Sequence, residues 1–374
     1  MTNYATIAAI IMPLEYQQNN NRRKYMRKLV TAIAIATSLA FATAAPANAS
    51  NTISGGGASF PYPFISSCLA DFNAVQNNFD IQYASTGSGT GKSNFAKGLF
   101  VFGQTDSKYS SGEPTFDWEY IPNVGGAIAF PINLHNTQTK RTLGSSIRLK
   151  QVTLSKILSG NIKVWNDKEI LNDNPTIANG IPAIPITIVY RSGNSGTTNN
   201  TLQYLNAWAP TIWTKVQDDF STAFPGGKPP LTSISAKDNA SVMATVNSTE
   251  GAIGYVDYSD TKGYPVARIQ NALGEFIAPT PSSAAKNLAN QTNVATNGLV
   301  TLDYNSKIAG AYPVVIFSYM LVRTDGKGPN GLGVRQFADY IIQKCGPTRA
   351  SSLGYVPVAG KVLTTAKTLV NNIK

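Results

Sequence analysis

Short apolar or β-branched runs alternate with helix-period patterns along most of this 374-residue chain. The runs Phe79–Ala84, Gly126–Ile132, Ile186–Tyr190, Ile253–Tyr255 and Val314–Val322 read as buried strands. Pro63–Ala74, Ser93–Leu99, Thr153–Leu158, Thr198–Trp208, Ala240–Asn247 and Gly333–Lys344 carry helical patterns. Strand and helix signals in alternation predict an α/β protein of mixed sheets flanked by helices. The chain is long enough for two domains, yet no linker or internal repeat divides it. That combination predicts two lobes with more than one crossing, and Ile128–Asn133 and Gly254–Ser259 are the candidate crossings. Pro279–Thr296, rich in Ser, Ala, Asn and Pro, reads as an excursion on the surface, and Pro225–Thr232 as a loop.

The first 49 residues follow another logic. Arg22, Arg23, Lys24, Arg27 and Lys28 form a basic cluster, an apolar run follows from Leu29 to Ala45, and Ala47-Asn48-Ala49 fits signal-peptidase cleavage. Residues 1–49 therefore read as a signal peptide, with Met26 the expected true start and Ser50 the first mature residue. A degenerate twin-arginine signal at Arg22-Arg23 is the alternative. A membrane anchor fits less well, because the run is shorter than the ~20 apolar residues of a span. No cysteine stands at the cleavage site to carry a lipid. The expected product is exported and soluble, in the periplasm or at the cell surface.

Composition changes little in this picture. A chain with 43% hydrophobic and 14% charged residues is globular. The formal charge of +11 falls to +7 without residues 1–49, which hold five basic residues and one acid. The remaining basic residues are scattered singly, which gives a mild attraction for anions and no nucleic-acid face. Phe64, Cys68, Phe72 and Val75 share one helical stripe, and Phe337, Ile341 and Cys345 another, so both thiols face a core. In an oxidising compartment Cys68 and Cys345 form a disulfide or stay as two buried thiols. Two Cys and His135 share no metal-ligand spacing, so no metal or cofactor is expected.

Four segments carry chemistry, each a small-residue turn at a strand end or before a helix. They are Gly55–Pro61, Thr86–Ser93, Gly103–Ser107 and Arg191–Thr198. Three are entries into helices, where free amides and the helix dipole seat an anion. Hydroxyls of Ser59, Ser88, Ser195 and Thr197 would add donors, and Arg191 a planar fork for a tetrahedral oxyanion. Asp106 is the odd member, because a carboxylate repels an anion. It makes sense when the ligand carries a proton that Asp106 can accept. Phosphate has such a proton at neutral pH and sulfate has none.

Two other readings use the same residues. Thr86–Ser93 reads TGSGTGKS, a nucleotide-binding loop but for Thr86 in place of the first Gly. An export signal puts such a loop where ATP is scarce. Gly193-Asn194-Ser195-Gly196 could serve a secreted phosphatase or serine-type hydrolase, but its base would have to be His135, for which the sequence offers no fixed partner. A surface interaction protein on the same scaffold is the third reading.

The chain resembles the phosphate-binding proteins of bacterial phosphate ABC importers, including their DING relatives. The resemblance rests on GGGASFPYP at 55–63, TGSGTGKSNF at 86–95, FGQTDSK at 102–108, LSGNIKVWND at 158–167, IVYRSGNSGTT at 188–198 and EGAIGYVDY at 250–258. It implies a type II periplasmic-binding-protein fold of two α/β lobes, one of residues 50–130 with 260–374 and one of 131–259. It implies a monomeric, non-enzymatic receptor that hands inorganic phosphate to a membrane ABC permease. By motif, the Phe60 amide, the Ser59 hydroxyl, Ser88, Asp106, Arg191, Ser195, Gly196 and Thr197 would contact the ligand. Many members carry an acid two positions after the Arg; here that position is Gly193. The resemblance leaves open what holds Arg191.

Overall fold

The computed structural model describes residues 51–75 and 78–374. The expected signal segment and its cleavage at Ala49 lie outside the described residues.

A mixed six-stranded sheet is the main frame. Its strands run in the order Phe79–Ser85, Asn51–Gly57, Phe102–Thr105, Val315–Arg323, Trp118–Ala129 and Val256–Asp257. The first three are parallel, which requires crossovers. The helices Tyr62–Val75 and Ser88–Ala96 supply them. Val315–Arg323 pairs antiparallel with strands on both sides. Its nine residues are apolar apart from Ser318 and the terminal Arg323, as fits a strand covered on both faces. A second sheet has three parallel strands, Ile234–Ala236, Thr187–Arg191 and Ala252–Gly254. The helices Gly196–Trp208 and Asn239–Ser248 belong to its connections. A small third sheet joins Phe276–Ile277, Arg268–Gln270 and Arg148–Leu149.

The chain passes between the first two sheets twice, on neighbouring segments. Ile128 and Ala129 pair with Asp257 and Val256, and Ile132 bridges Ile253. These are the segments at which the hydrophobic pattern places its crossings.

Three expectations need correction. The helix expected from Ser93 begins at Ser88, although Gly89 and Gly91 are poor helix formers. Packing overrides propensity there: a Cβ on Gly91 would lie 2.7 Å from the Gly57 Cα. The strand expected from Gly126 begins at Trp118 and ends at Ala129. Pro122 hides it in the sequence, and the register shift at Ser318/Tyr319, opposite Pro122, absorbs the proline. The supposed surface excursion contains the helix Pro281–Leu288, with a capping box between Thr280 and Ser283. Its inner face is only Ser283, Ala284, Asn287 and Leu288, and Asn287 donates to the Tyr312 carbonyl at 2.9 Å. A face so small and polar gives little periodic signal.

Cys68 and Cys345 are joined by a disulfide with their Cα atoms 5.7 Å apart. Both are buried, while Val75 at the end of the Cys68 stripe is exposed. The bond closes a span of 277 residues. Removing a native disulfide typically destabilises by about 2–5 kcal/mol. The paired Cys68→Ala, Cys345→Ala variant should therefore unfold at clearly lower urea than the oxidised protein. Equal midpoints would show that the crosslink constrains nothing.

Candidate functional site

Strand direction gathers the first half of the site. Because Asn51–Gly57, Phe79–Ser85 and Phe102–Thr105 are parallel, their carboxyl ends share one side of the sheet. Ser59 and Phe60 follow the first, Ser88 the second and Asp106 the third. The second half comes from the other sheet, where Arg191 ends its strand and Ser195 caps the next helix.

Asp106 is almost wholly buried. Its Oδ1 accepts from the Ser318 hydroxyl at 2.5 Å and its Oδ2 from the Ser88 hydroxyl at 3.2 Å. The Gln104 amide donates to Ser318 Oγ at 2.8 Å, which commits the Ser318 proton to Asp106. Asn123 and Gln104 exchange hydrogen bonds of 3.1 and 3.2 Å behind them. Burial pushes the Asp106 carboxyl up to about 7, although Ser318, Ser88 and Arg191 pull it down.

Arg191 is held on three sides by neutral oxygens. Its Nε donates to the Lys237 carbonyl at 3.2 Å. Its Nη1 donates to Asn239 Oδ1 at 2.7 Å and to Ser59 Oγ at 3.1 Å. Asn239 turns its own amide group toward Asp257 and toward Asp260, the latter at 3.1 Å. The acids thus stand one residue behind the guanidinium. A Cβ on Gly193 would meet nothing within 4 Å. Asn239, with the acids behind it, occupies the role that the sequence left open there.

The Gly196–Trp208 helix supplies the third wall. Its first amides have no acceptor within the helix. The Ser195 hydroxyl accepts from the Thr198 amide, so it caps the helix. Gly196 lies directly on the other half: a Cβ there would sit 2.5 Å from Asp106 Cβ and 2.6 Å from Ser88 Oγ. No other residue type fits. Asn200, one turn later, donates to the Asp106 carbonyl at 2.6 Å. The Thr197 hydroxyl is buried without a protein partner.

The structure therefore brings together Ser59, Ser88, Asp106, Arg191, Ser195, Gly196 and Thr197. Phe60 differs in kind. Its ring packs edge-on against Tyr355 at 5.4 Å, so only its main chain could face a ligand. His135 needs a correction: it is partly exposed and its Nδ1 lies 2.7 Å from Glu250 Oε2, a fixed partner the sequence did not reveal. Sequence reasoning also missed Ser318, Asn239 and Asn200. Ser318 carried a signal, a lone hydroxyl inside the run Val314–Val322.

The profile described as a PBP superfamily domain matches residues 42–344. The phosphate-binding protein PstS of Xylella fastidiosa is 32% identical over 312 residues, 82% of this chain and 81% of that one. The chain belongs to the PstS family of the PBP superfamily. Solved structures share the fold. A periplasmic phosphate-binding protein, PfluDING, bound with phosphate, superposes with a TM-score of 0.68 at 22% identity, covering 85% of this chain and 93% of its own. An ABC-type phosphate transport receptor from Vibrio cholerae gives 0.52 at 15% identity, covering 81% and 99%. The family fold explains why chemistry-bearing turns far apart in the sequence face one another.

Asp106 and Asp260 are raised to about 7 and about 6, and Asp257 is also raised, each chiefly by burial. The folded protein then holds protons that the unfolded chain has released. Between about pH 4 and 7 these groups should make stability fall as pH rises, by up to ~1.4 kcal/mol per group and pH unit. Urea unfolding in phosphate-free buffer across that range should show a shallower fall for Asp106→Asn than for wild type. An identical slope would mean that Asp106 is ionised throughout.

Proposed function

We propose that this protein is an exported, non-enzymatic receptor that binds inorganic phosphate and delivers it to a membrane ABC permease. One observation carries the reading. A buried acid and a buried guanidinium stand on facing segments, with Gly196 of a helix N-terminus against the acid and Ser59 bonded to the guanidinium. The guanidinium and amides supply positive potential for an oxyanion. The acid rejects any oxyanion that cannot share a proton with it, so the seat favours phosphate over sulfate.

The receptor would act as a monomer with two lobes closing on the ligand, expected as residues 50–130 with 260–374 and residues 131–259; the pairing of Arg268 and Ile269 with Arg148 and Leu149 draws the strand Arg268–Gln270 to the second lobe. The ligand set would be the Phe60 amide with Ser59, Ser88, Asp106, Arg191, Ser195, Gly196 and Thr197. The relatives named phosphate-binding protein PstS and the ABC-type phosphate transport receptor support the reading. Export would follow cleavage near Ala49. The local chemistry also favours binding over hydrolysis on the Ser195 turn. Ser195 uses its hydroxyl as a helix cap, and the partner of His135 is Glu250 rather than Ser195.

Calorimetry with inorganic phosphate and sulfate tests this directly. Arg191→Ala removes charge-assisted hydrogen bonds worth about 1.5–3 kcal/mol each, and phosphate affinity should fall by at least ~100-fold. Wild type that binds no phosphate would end the proposal. Asp106→Asn replaces an acceptor with an amide that can donate to sulfate. Hydrogen-bond-based sites discriminate by roughly 10⁴–10⁵, and the phosphate preference should shrink by orders of magnitude. An unchanged ratio would place discrimination elsewhere.

A further inference from the structure

Lys92 is the strongest nucleotide-loop feature of Thr86–Ser93, yet the anion seat does not use it. It is buried on the helix that begins at Ser88. Its ammonium makes three contacts: Asp218 Oδ2 at 2.7 Å, the Ser107 hydroxyl at 3.0 Å and the Lys108 carbonyl at 2.8 Å. All three donors of the ammonium are thereby used. Ser107 and Lys108 directly follow Asp106 in the chain.

Asp218 is as fully engaged on its side. Its Oδ2 also accepts from Ser107 Oγ at 3.1 Å, and its Oδ1 accepts from Asn199 Nδ2 at 2.9 Å. Its carbonyl accepts from the Ser195 amide at 2.9 Å. Asn199 and Ser195 flank the first turn of the helix that faces Asp106. The pair thus ties the turn carrying Asp106 to the start of that helix, across 126 residues of sequence. The two side chains are 9% and 14% exposed. A groove of about 1130 Å³ runs along the outer side, and its walls include Lys92 and Asp218 but neither Asp106 nor Arg191.

We propose that Lys92 and Asp218 are positioning residues that latch the two walls of the seat together, and so set how long a bound oxyanion stays. The inference rests on the receptor reading above. The groove gives water access to the pair, so both charges can be rehydrated when the walls part. The latch is therefore reversible. It acts on the closed state alone, because the two partners sit on opposite walls.

The test is stopped-flow release of inorganic phosphate from the purified protein and its Lys92→Met, Asp218→Asn, Lys92→Met/Asp218→Asn and Lys92→Arg variants. Losing one partner of a buried, hydrogen-bonded charge pair acts mainly on dissociation. Each single variant should release phosphate roughly 10-fold faster or more, with association changed less than about 3-fold. The double variant should resemble the singles, because the first substitution already breaks the latch. Lys92→Arg should restore most of the slow release. Should a single variant fail to fold, the charge-free double variant supplies the rate, since it leaves neither charge buried alone. Release at the wild-type rate from the double variant would overturn the latch, as would single effects that simply add. Wild type that binds no phosphate would instead overturn the receptor reading, so the two failures are distinguishable.

Discussion

A carboxylate buried between two sheets is the constraint around which this structure is arranged. Asp106 gives up hydration and lies against the start of the Gly196–Trp208 helix. Two hydroxyls, Ser318 and Ser88, replace part of the lost water. The Gln104 amide fixes the direction of the Ser318 proton, and Asn123 fixes Gln104 in turn. This chain of donors leaves no choice about which atoms face the carboxylate. It also explains a polar residue in the most apolar strand of the main sheet. Val315–Arg323 lies between Phe102–Thr105 and Trp118–Ala129, so Ser318 can reach Gln104 and Asp106 together.

The opposite wall solves the complementary problem. A guanidinium paired directly with an acid would present little net charge to a ligand. Arg191 touches only neutral oxygens, and Asn239 keeps Asp257 and Asp260 one residue away. The fork is held in place while its charge stays available. In the receptor proposed above, one proton would decide the encounter with Asp106. Two ionised groups repel, whereas a shared proton turns the contact into a hydrogen bond. An anion that brings no proton can be admitted only if Asp106 holds one, which its position near 7 allows increasingly as pH falls. Selectivity between phosphate and sulfate is therefore expected to weaken in acid, through this same group.

How much of this was legible in the sequence depends on the reach of each interaction. Asp106, Arg191 and the glycine turns were visible because a strand end, a turn and a helix start are adjacent in the chain. The alternation of strand and helix signals was enough for the α/β class and for the two passages between sheets. Asn239 and Asn200 were not visible, because an asparagine at or near the start of a helix reads as capping or solvent contact. Their partners are Arg191 and the Asp106 carbonyl, 48 and 94 residues away. Lys92 was misleading in a specific way. Its local surroundings imitate a phosphate loop, while its actual partner, Asp218, lies in a loop 126 residues away. Gly196 shows the same limit: its need for a missing side chain comes from Asp106 and Ser88 across the seat.

The division of contacts between the walls bears on how such a site can open and keep its precision. Ile128 and Ala129 pair with Asp257 and Val256, and Ile132 bridges Ile253, so the two passages between sheets are joined to each other. In the receptor proposed above, that joint confines motion to bending about one place. The bonds that bending must break include Arg191 to Ser59, Asn200 to the Asp106 carbonyl, Gly89 to Asn194, and both Lys92 and Ser107 to Asp218. The bonds that shape each wall lie within it. Ser318, Ser88 and Gln104 hold Asp106 from its own side, and Asn239 and Lys237 hold Arg191 from the other. Each wall can thus keep its geometry while apart. A ligand then meets two pre-formed half-sites, and the ordering that usually weakens association is largely complete before it arrives.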